Sequence, residues 1–314
     1  MCTRIEYTKT KIESIKSELK KHSNLDENIC VIVTGSYGRG EASEVSDMDW
    51  FIVSKNDSCG STLSNNDSLT LKTVTEVVNK NIDQNAGDTG TFENIITISK
   101  LLENFGGDKE TNQDFTRRML YLLESRCLYN ESLYETLKTK ILENYIKSDL
   151  LDSNINRFML NDIIRYYRTM CTDYEYKVAE AGKSWGVRKI KLRFSRKLIY
   201  FSGLLTIADT CNLTRNEKIT KTLKLLSLTP MERIKCIVGP DNVSELVRLY
   251  EYFLDEISKP EVREELNGVE RNNRSETVIY RKLKNKSHNF AWEMEKLLKH
   301  NFPQSHPIHT ALVF

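Results

Sequence analysis

The chain has 314 residues, 39% of them apolar and 29% charged, with 46 basic against 44 acidic side chains. That length suits two domains of ordinary size, and a formal charge of +2 directs no global field toward nucleic acid or an anionic membrane. No apolar run approaches the ~18 residues of a spanning helix, no signal-peptide core opens the chain, and seven scattered cysteines without a CxxC pair read as free thiols in a reducing, cytoplasmic compartment.

Residues 4–22 place Ile5, Ile12, Ile15 and Leu19 at helical spacing, which predicts an amphipathic helix. The apolar run Cys30-Val31-Ile32-Val33 predicts a strand. Gly35-Ser36-Tyr37-Gly38-Arg39-Gly40-Glu41 follows as a glycine turn entering a short helix, and Ser46-Asp47-Met48-Asp49 leads into a second apolar run, Trp50-Phe51-Ile52-Val53. Two polar loops, 55–68 and 81–91, flank a helix over 69–80, and Phe92–Leu102 reads as a late strand running into a helix before a turn at Gly106-Gly107. From about Phe115 the pattern is helical almost to the end, with helices expected over 114–127, 131–146, 154–180, 187–208, 214–227, 242–257 and 275–299. Proline is absent before Pro230, which permits long unbroken helices, and the tail 301–314, with Pro303 and Pro307, reads as an irregular or docked end. Strands early and helices late predict an α+β class: a catalytic domain over 1–148 with a mixed sheet, then an all-helical domain over 149–314.

The chemistry sits between the first two strands. Gly35 and Ser36 at a strand-to-helix turn present backbone N–H groups and a hydroxyl to a phosphate. Asp47 and Asp49 are two apart, so in extended chain they share a face. Paired carboxylates on one face suit Mg²⁺, with Mn²⁺ as the alternative ion, and leave coordination sites for substrate phosphates. Arg39, one turn beyond Ser36, is placed either to touch a triphosphate or to pair with Glu41 or Glu44. Glu41 reads as a first-turn carboxylate favoured by the helix dipole.

These residues in this order resemble the signature of the nucleotidyltransferase superfamily with the DNA polymerase β fold: Gly-Ser, a spacer, then Asp-x-Asp. The fuller string, GSYGRGE followed by SDMD, is similar to the minimal nucleotidyltransferases and to the catalytic domain of PII-uridylyltransferase-type proteins. The resemblance implies a polymerase-β-like first domain, an NTP such as ATP held at Gly35-Ser36, two divalent ions on Asp47 and Asp49, and transfer of an NMP to an acceptor hydroxyl with loss of pyrophosphate. It also implies a third carboxylate. Glu124, in Leu122-Leu123-Glu124-Ser125-Arg126, is one candidate through its likeness to a helix that follows the uridylyltransferase core, against an ion pair with Arg118. Asp88, in Gly87-Asp88-Thr89-Gly90, is the other, against a plain turn residue. The acceptor is left open among a protein side chain, a tRNA end, a small molecule such as an aminoglycoside, and a second nucleotide. A cyclic or oligonucleotide second-messenger synthase, and a degenerate NTP-binding sensor or toxin–antitoxin component, are the rival readings.

The helical half adds a basic run, KSWGVRKIKLRFSRK over 183–197, in which Ile190, Phe194, Leu198 and Phe201 form a core stripe and Lys189, Arg193, Arg196 and Lys197 lie off it. Arg165 and Arg168 share a face of the preceding helix. Related transferases supply nucleotide-gripping side chains from a helical domain, so Arg193, Arg196 and Lys197 are expected to close over the triphosphate or an anionic acceptor, the alternative being a solvated basic face. Tyr166, Tyr167, Tyr174, Tyr176 and Trp185 are expected either to stack a base or to fill the core. His300, His306 and His309 show no metal-site spacing beyond their proximity.

Overall fold

The computed structural model describes residues 2–55, 65–82, 94–179, 184–274 and 276–313. The chain divides into two compact units, residues 1–145 and 146–314. The first holds every described strand; the second is helical throughout.

In the first unit α1 (Cys2–Leu19) leads to β1 (Ile29–Val33), a five-residue α2 (Gly35–Arg39), β2 (Trp50–Ser54) and α3 (Asn65–Asn81). Then come β3 (Ile95–Thr97), α4 (Ser99–Leu102), α5 (Asn112–Leu123), β4 (Arg126–Tyr129) and α6 (Glu131–Tyr145). The four strands form one mixed sheet in the order β3-β2-β1-β4. β1 runs antiparallel to β2, with Val33 opposite Trp50, while β2 and β3 are parallel. Both faces of β1 and β2 are covered, which is why their sequences are continuous apolar runs rather than alternating ones. Ile29, Val31, Val33, Trp50 and Ile52 face a core shared with Ile12, Ile15 and Leu19 of α1 and Val74, Val77 and Val78 of α3. Cys30, Ile32, Phe51 and Val53, on the opposite side of the pleat, are buried as well.

β4 corrects the expectation of a helix over 114–127. The helix stops at Leu123, because Glu124 takes φ −144° and ψ 16°, and Arg126–Tyr129 joins β1 as an antiparallel strand with an irregularity between Val31 and Ile32. Four residues with two buried at their centre are too few for a period of two to show against the adjoining helix. Asn130, at φ 66°, turns the chain into α6, and its carboxamide oxygen accepts from Leu133 N at 3.1 Å.

The second unit contains α7 (Arg157–Ala179), α8 (Trp185–Lys191), a π-helical turn (Leu192–Arg196), α9 (Lys197–Asp209), α10 (Arg215–Leu226) and α11 (Pro230–Val238). After a 3₁₀ turn (Pro240–Val243) come α12 (Ser244–Ser258), α13 (Pro260–Asn267), α14 (Val278–Asn301) and α15 (Pro307–Ala311). α11 and α13 were not among the expected helices, although each has a start signal. Thr229-Pro230-Met231-Glu232 is a capping box with proline at the first helical position, and Pro260 opens α13 likewise. The expected single helix over 187–208 is interrupted by the π turn. Its stripe of Ile190, Phe194, Leu198 and Phe201 is buried, with Phe194 stacked on Phe253 at 4.6 Å. The tail is docked through α15, where Ile308 and Ala311 are buried. Among the described residues no helix is long and apolar enough to cross a membrane.

Candidate active site

The site begins where β1 ends. Thr34 N donates to Asp49 O at 2.8 Å, extending the β1–β2 pairing by one step beyond Val33 and Trp50. Gly35 then turns with φ +66°, a conformation L side chains rarely adopt. A methyl group built on it would fall 2.7 Å from Asp49 Oδ2, so the carboxylate lies against bare backbone. α2 ends at Gly40, at φ 72°, and the next amide, Glu41 N, donates back to Ser36 O at 2.8 Å. A helix leaves its first N–H groups without partners of its own, so the Gly35–Ser36 end is donor-rich.

The chain returns through a tight turn in which Ser46 N donates to Ser43 O at 2.9 Å and Ser43 N to Ser46 Oγ at 3.0 Å. It then runs extended into β2 with alternating exposure. Asp47 is exposed, Met48 buried, Asp49 half-buried and Trp50 buried. Both carboxylates therefore lie on the side away from the core, as their spacing predicts, but in the lead-in to β2 rather than within it. Among the described residues no group of three His, Cys, Asp or Glu side chains could hold a metal ion. Asp88, one candidate for a third carboxylate, lies outside the described residues.

Glu124 has another setting. Its carboxylate and that of Glu41 both take the Arg39 guanidinium: Arg39 Nε donates to Glu41 Oε2 at 2.8 Å and Nη1 to Glu124 Oε2. The three side chains are 8%, 2% and 1% exposed for Arg39, Glu41 and Glu124. Glu41 follows the end of α2, which corrects its placement in the first turn. Arg118 pairs with Glu110 and donates to Tyr145 Oη at 3.1 Å. Gly38 packs so closely on this segment that an added methyl group would fall 1.9 Å from Glu124 O.

A glycine turn against one of two paired carboxylates, between two buried strands, lies inside residues 12–103, which match the family model of the nucleotidyltransferase domain. Residues 12–103 are similar to a nucleotidyltransferase domain, and the match supports a nucleotidyltransferase enzyme. The matched stretch runs from Ile12 in α1 to the end of α4 and includes Gly35, Ser36, Asp47 and Asp49. No curated protein matches the chain.

The second unit, residues 146–314, carries the other residues singled out in the sequence. Arg193 and Arg196 lie in the π turn and Lys197 opens α9; all three are partly buried. Arg193 Nη1 donates to Ser287 Oγ of α14 at 3.3 Å, while its Nε is buried without a partner among the described residues. Burial, and then the Arg193 charge, pull the Lys197 ammonium below the usual lysine range. Lys189 lies over the Tyr174 ring at 4.7 Å, and burial lowers it too. Tyr167 stacks on Tyr200 at 5.0 Å, and burial pushes its phenol up to about 12. Tyr166, Tyr174 and Trp185 are buried in this unit and fill core, whereas Tyr176 is exposed. Arg165 lies 3.8 Å from Asp162. His306 caps α15 by accepting from Ile308 N at 3.2 Å, and the ring of His309 bonds Phe302 O at 3.0 Å, so both serve the docked tail.

Proposed function

We propose that the protein binds an NTP at Gly35-Ser36 and transfers its NMP to an acceptor hydroxyl, with Mg²⁺ held by Asp47 and Asp49. The observation carrying this reading is the contact of the Asp49 carboxylate with the bare Gly35 backbone. It puts an anionic oxygen donor beside a donor-rich turn, the pairing a metal–triphosphate complex requires. The donor set fits a hard divalent ion: two carboxylates on one side of an extended segment, with the remaining positions left to water and phosphate oxygens. Two such ions, or Mn²⁺ in their place, would activate the attacking oxygen and neutralise the leaving pyrophosphate.

The chain's own residues supply position. Gly35 lets phosphate oxygens approach the backbone, and the Ser36 hydroxyl and first-turn N–H groups bond them. In the transfer the acceptor oxygen bonds to the α-phosphorus, the bond from that phosphorus to the bridging oxygen breaks, and pyrophosphate leaves with that electron pair. The acceptor proton passes to solvent. We assign the catalytic role to a domain over 1–148, and to the helical domain over 149–314 a nucleotide- or acceptor-binding role through Arg193, Arg196 and Lys197. Incubation with each labelled NTP and Mg²⁺ tests the reading. Label on an added acceptor, with pyrophosphate released, is the expected result. Product from NTP alone would make the protein a second-messenger synthase, and binding without pyrophosphate release would make it a sensor.

A further inference from the structure

We propose that Arg39, clamped between Glu41 and Glu124, is a positioning residue that sets the Gly35–Ser36 turn against Asp49 without touching the nucleotide. The proposal rests on the reading of that turn as the phosphate cradle. It gives Glu124 the role of counter-charge rather than of third metal ligand.

α2 has five residues, too few to sustain a helix by its own hydrogen bonds, so its geometry is imposed from outside. The support comes from the end of α5 and the start of β4. Gly38 rests on the Glu124 carbonyl, Arg126 Nε donates to Gly38 O at 3.1 Å, and Arg39 reaches the Glu124 carboxylate. From Arg39 the chain of bonds runs back to the cradle, through Arg39 Nε to Glu41 Oε2 at 2.8 Å and Glu41 N to Ser36 O at 2.8 Å. Ser36 is therefore tied to α5 through two carboxylates and one guanidinium.

Burial separates positioning from contact. A guanidinium that grips a triphosphate must present its donors to solvent in the unliganded protein. Arg39 is 8% exposed, and its Nε and Nη1 are already engaged by carboxylates. Glu124 is 1% exposed and spends its charge on Arg39. Freeing Arg39 to meet a phosphate would break two buried ion pairs, and freeing Glu124 to meet a metal would break one, and breaking a buried pair is unfavourable.

The test uses the full chain with Arg39→Lys, Arg39→Met, Glu124→Gln and the Arg39→Met/Glu124→Gln double variant, each checked by thermal melt. Arg39→Lys keeps the charge but loses the fork that spans two carboxylates. The expected result is a drop in kcat of about ten- to a hundredfold in each, the size of a small misplacement at a reacting centre. The double variant should be no worse than the poorer single one. The Mg²⁺ concentration for half-maximal rate should not move in Glu124→Gln, and the salt dependence of NTP binding should not move in Arg39→Met. A several-fold rise in the Mg²⁺ requirement of Glu124→Gln would make it a metal ligand and overturn the proposal. So would a flatter salt dependence in Arg39→Met, additive losses in the double variant, or full activity throughout. If Arg39→Met does not fold, the cycle and the salt series run on Arg39→Lys with the same criteria. Asp49→Asn serves as the control. Full turnover there removes the cradle reading and this one with it, whereas loss there alongside additive losses overturns the positioning role alone.

Discussion

Two arginines show how differently the two units use charge. Arg39, in the first unit, is nearly sealed from water and held by two carboxylates. Arg193, in the second, is partly buried, bonds a serine hydroxyl, and has no carboxylate partner among the described residues. Both sit near glycine- or lysine-rich sequence and look alike on paper. A neutralised guanidinium is part of the architecture, since its field is cancelled within a few ångströms. An unneutralised one beside Lys197 keeps a field, which adds to burial in lowering the Lys197 ammonium. The first unit therefore cancels the Arg39 charge within its interior, whereas Arg193 in the second keeps its charge with no carboxylate beside it among the described residues.

The sharpest way to break this contrast is to change the paired carboxylates of the first unit. Asp47→Asn or Asp49→Asn should abolish turnover while leaving the melting temperature near that of the parent, because each removes a charged oxygen ligand at nearly constant volume. Wild-type pyrophosphate release at saturating Mg²⁺ would refute the assignment. Next in size is the locked pair. Arg39→Met removes the shared cation from two buried ion pairs, with Glu41 and Glu124, and should cost about 3–5 kcal/mol of stability, read from urea unfolding, whereas Arg193→Met should cost no more than about 1 kcal/mol, the worth of one hydrogen bond. Equal losses would erase the distinction between the two arginines. Ser36→Ala should be milder at the level of the fold and weaken NTP binding by about 1.5–3 kcal/mol, the value of a hydrogen bond to a charged group; calorimetric titration that finds no change would show the hydroxyl to be idle.

Much of this was legible in the sequence because the two apolar runs are buried on both faces and the glycine-serine turn interrupts them sharply. Spacing alone puts Asp47 and Asp49 on one side of extended chain, and exposure alternates along Asp47, Met48, Asp49 and Trp50. Other parts were hidden for physical reasons. β4 is four residues long and directly follows a helix, so local periodicity could not separate it. With a helix expected over 114–127, Glu124 falls within it, a candidate third carboxylate or an ion-pair partner of Arg118. The strand instead brings Glu124 to Arg39, 85 residues away in sequence, and no local pattern reports such a contact. α11 and α13, of nine and eight residues, lie outside the expected helices despite visible start signals at Thr229-Pro230 and Pro260. The π turn at Leu192–Arg196 left no trace, because the apolar stripe through it keeps helical spacing.

The smallest effect tests the second unit. Replacing Arg193, Arg196 and Lys197 together with Ser should barely alter stability, because partly exposed surface charges contribute little to folding. If these side chains grip nucleotide or acceptor, the same variant should bind it more weakly and with a flatter dependence on salt, since the lost contacts are the ones screened over a Debye length of about 8 Å at physiological ionic strength. The parent protein offers an independent check through pH. A lysine is charged below its pKa, and Lys197 is shifted downward by burial and by Arg193. Its charge therefore disappears at a lower pH than an ordinary lysine's, and anion binding should weaken as pH rises through that lowered value. The Ser variant should lack this limb of the pH profile. A bound phosphate would oppose the shift by stabilising the ammonium, so the limb should move to higher pH as nucleotide approaches saturation. An unchanged salt slope and an unchanged pH profile in the variant would leave the basic turn as a solvated face, and the contrast between the two arginines would then be one of packing alone.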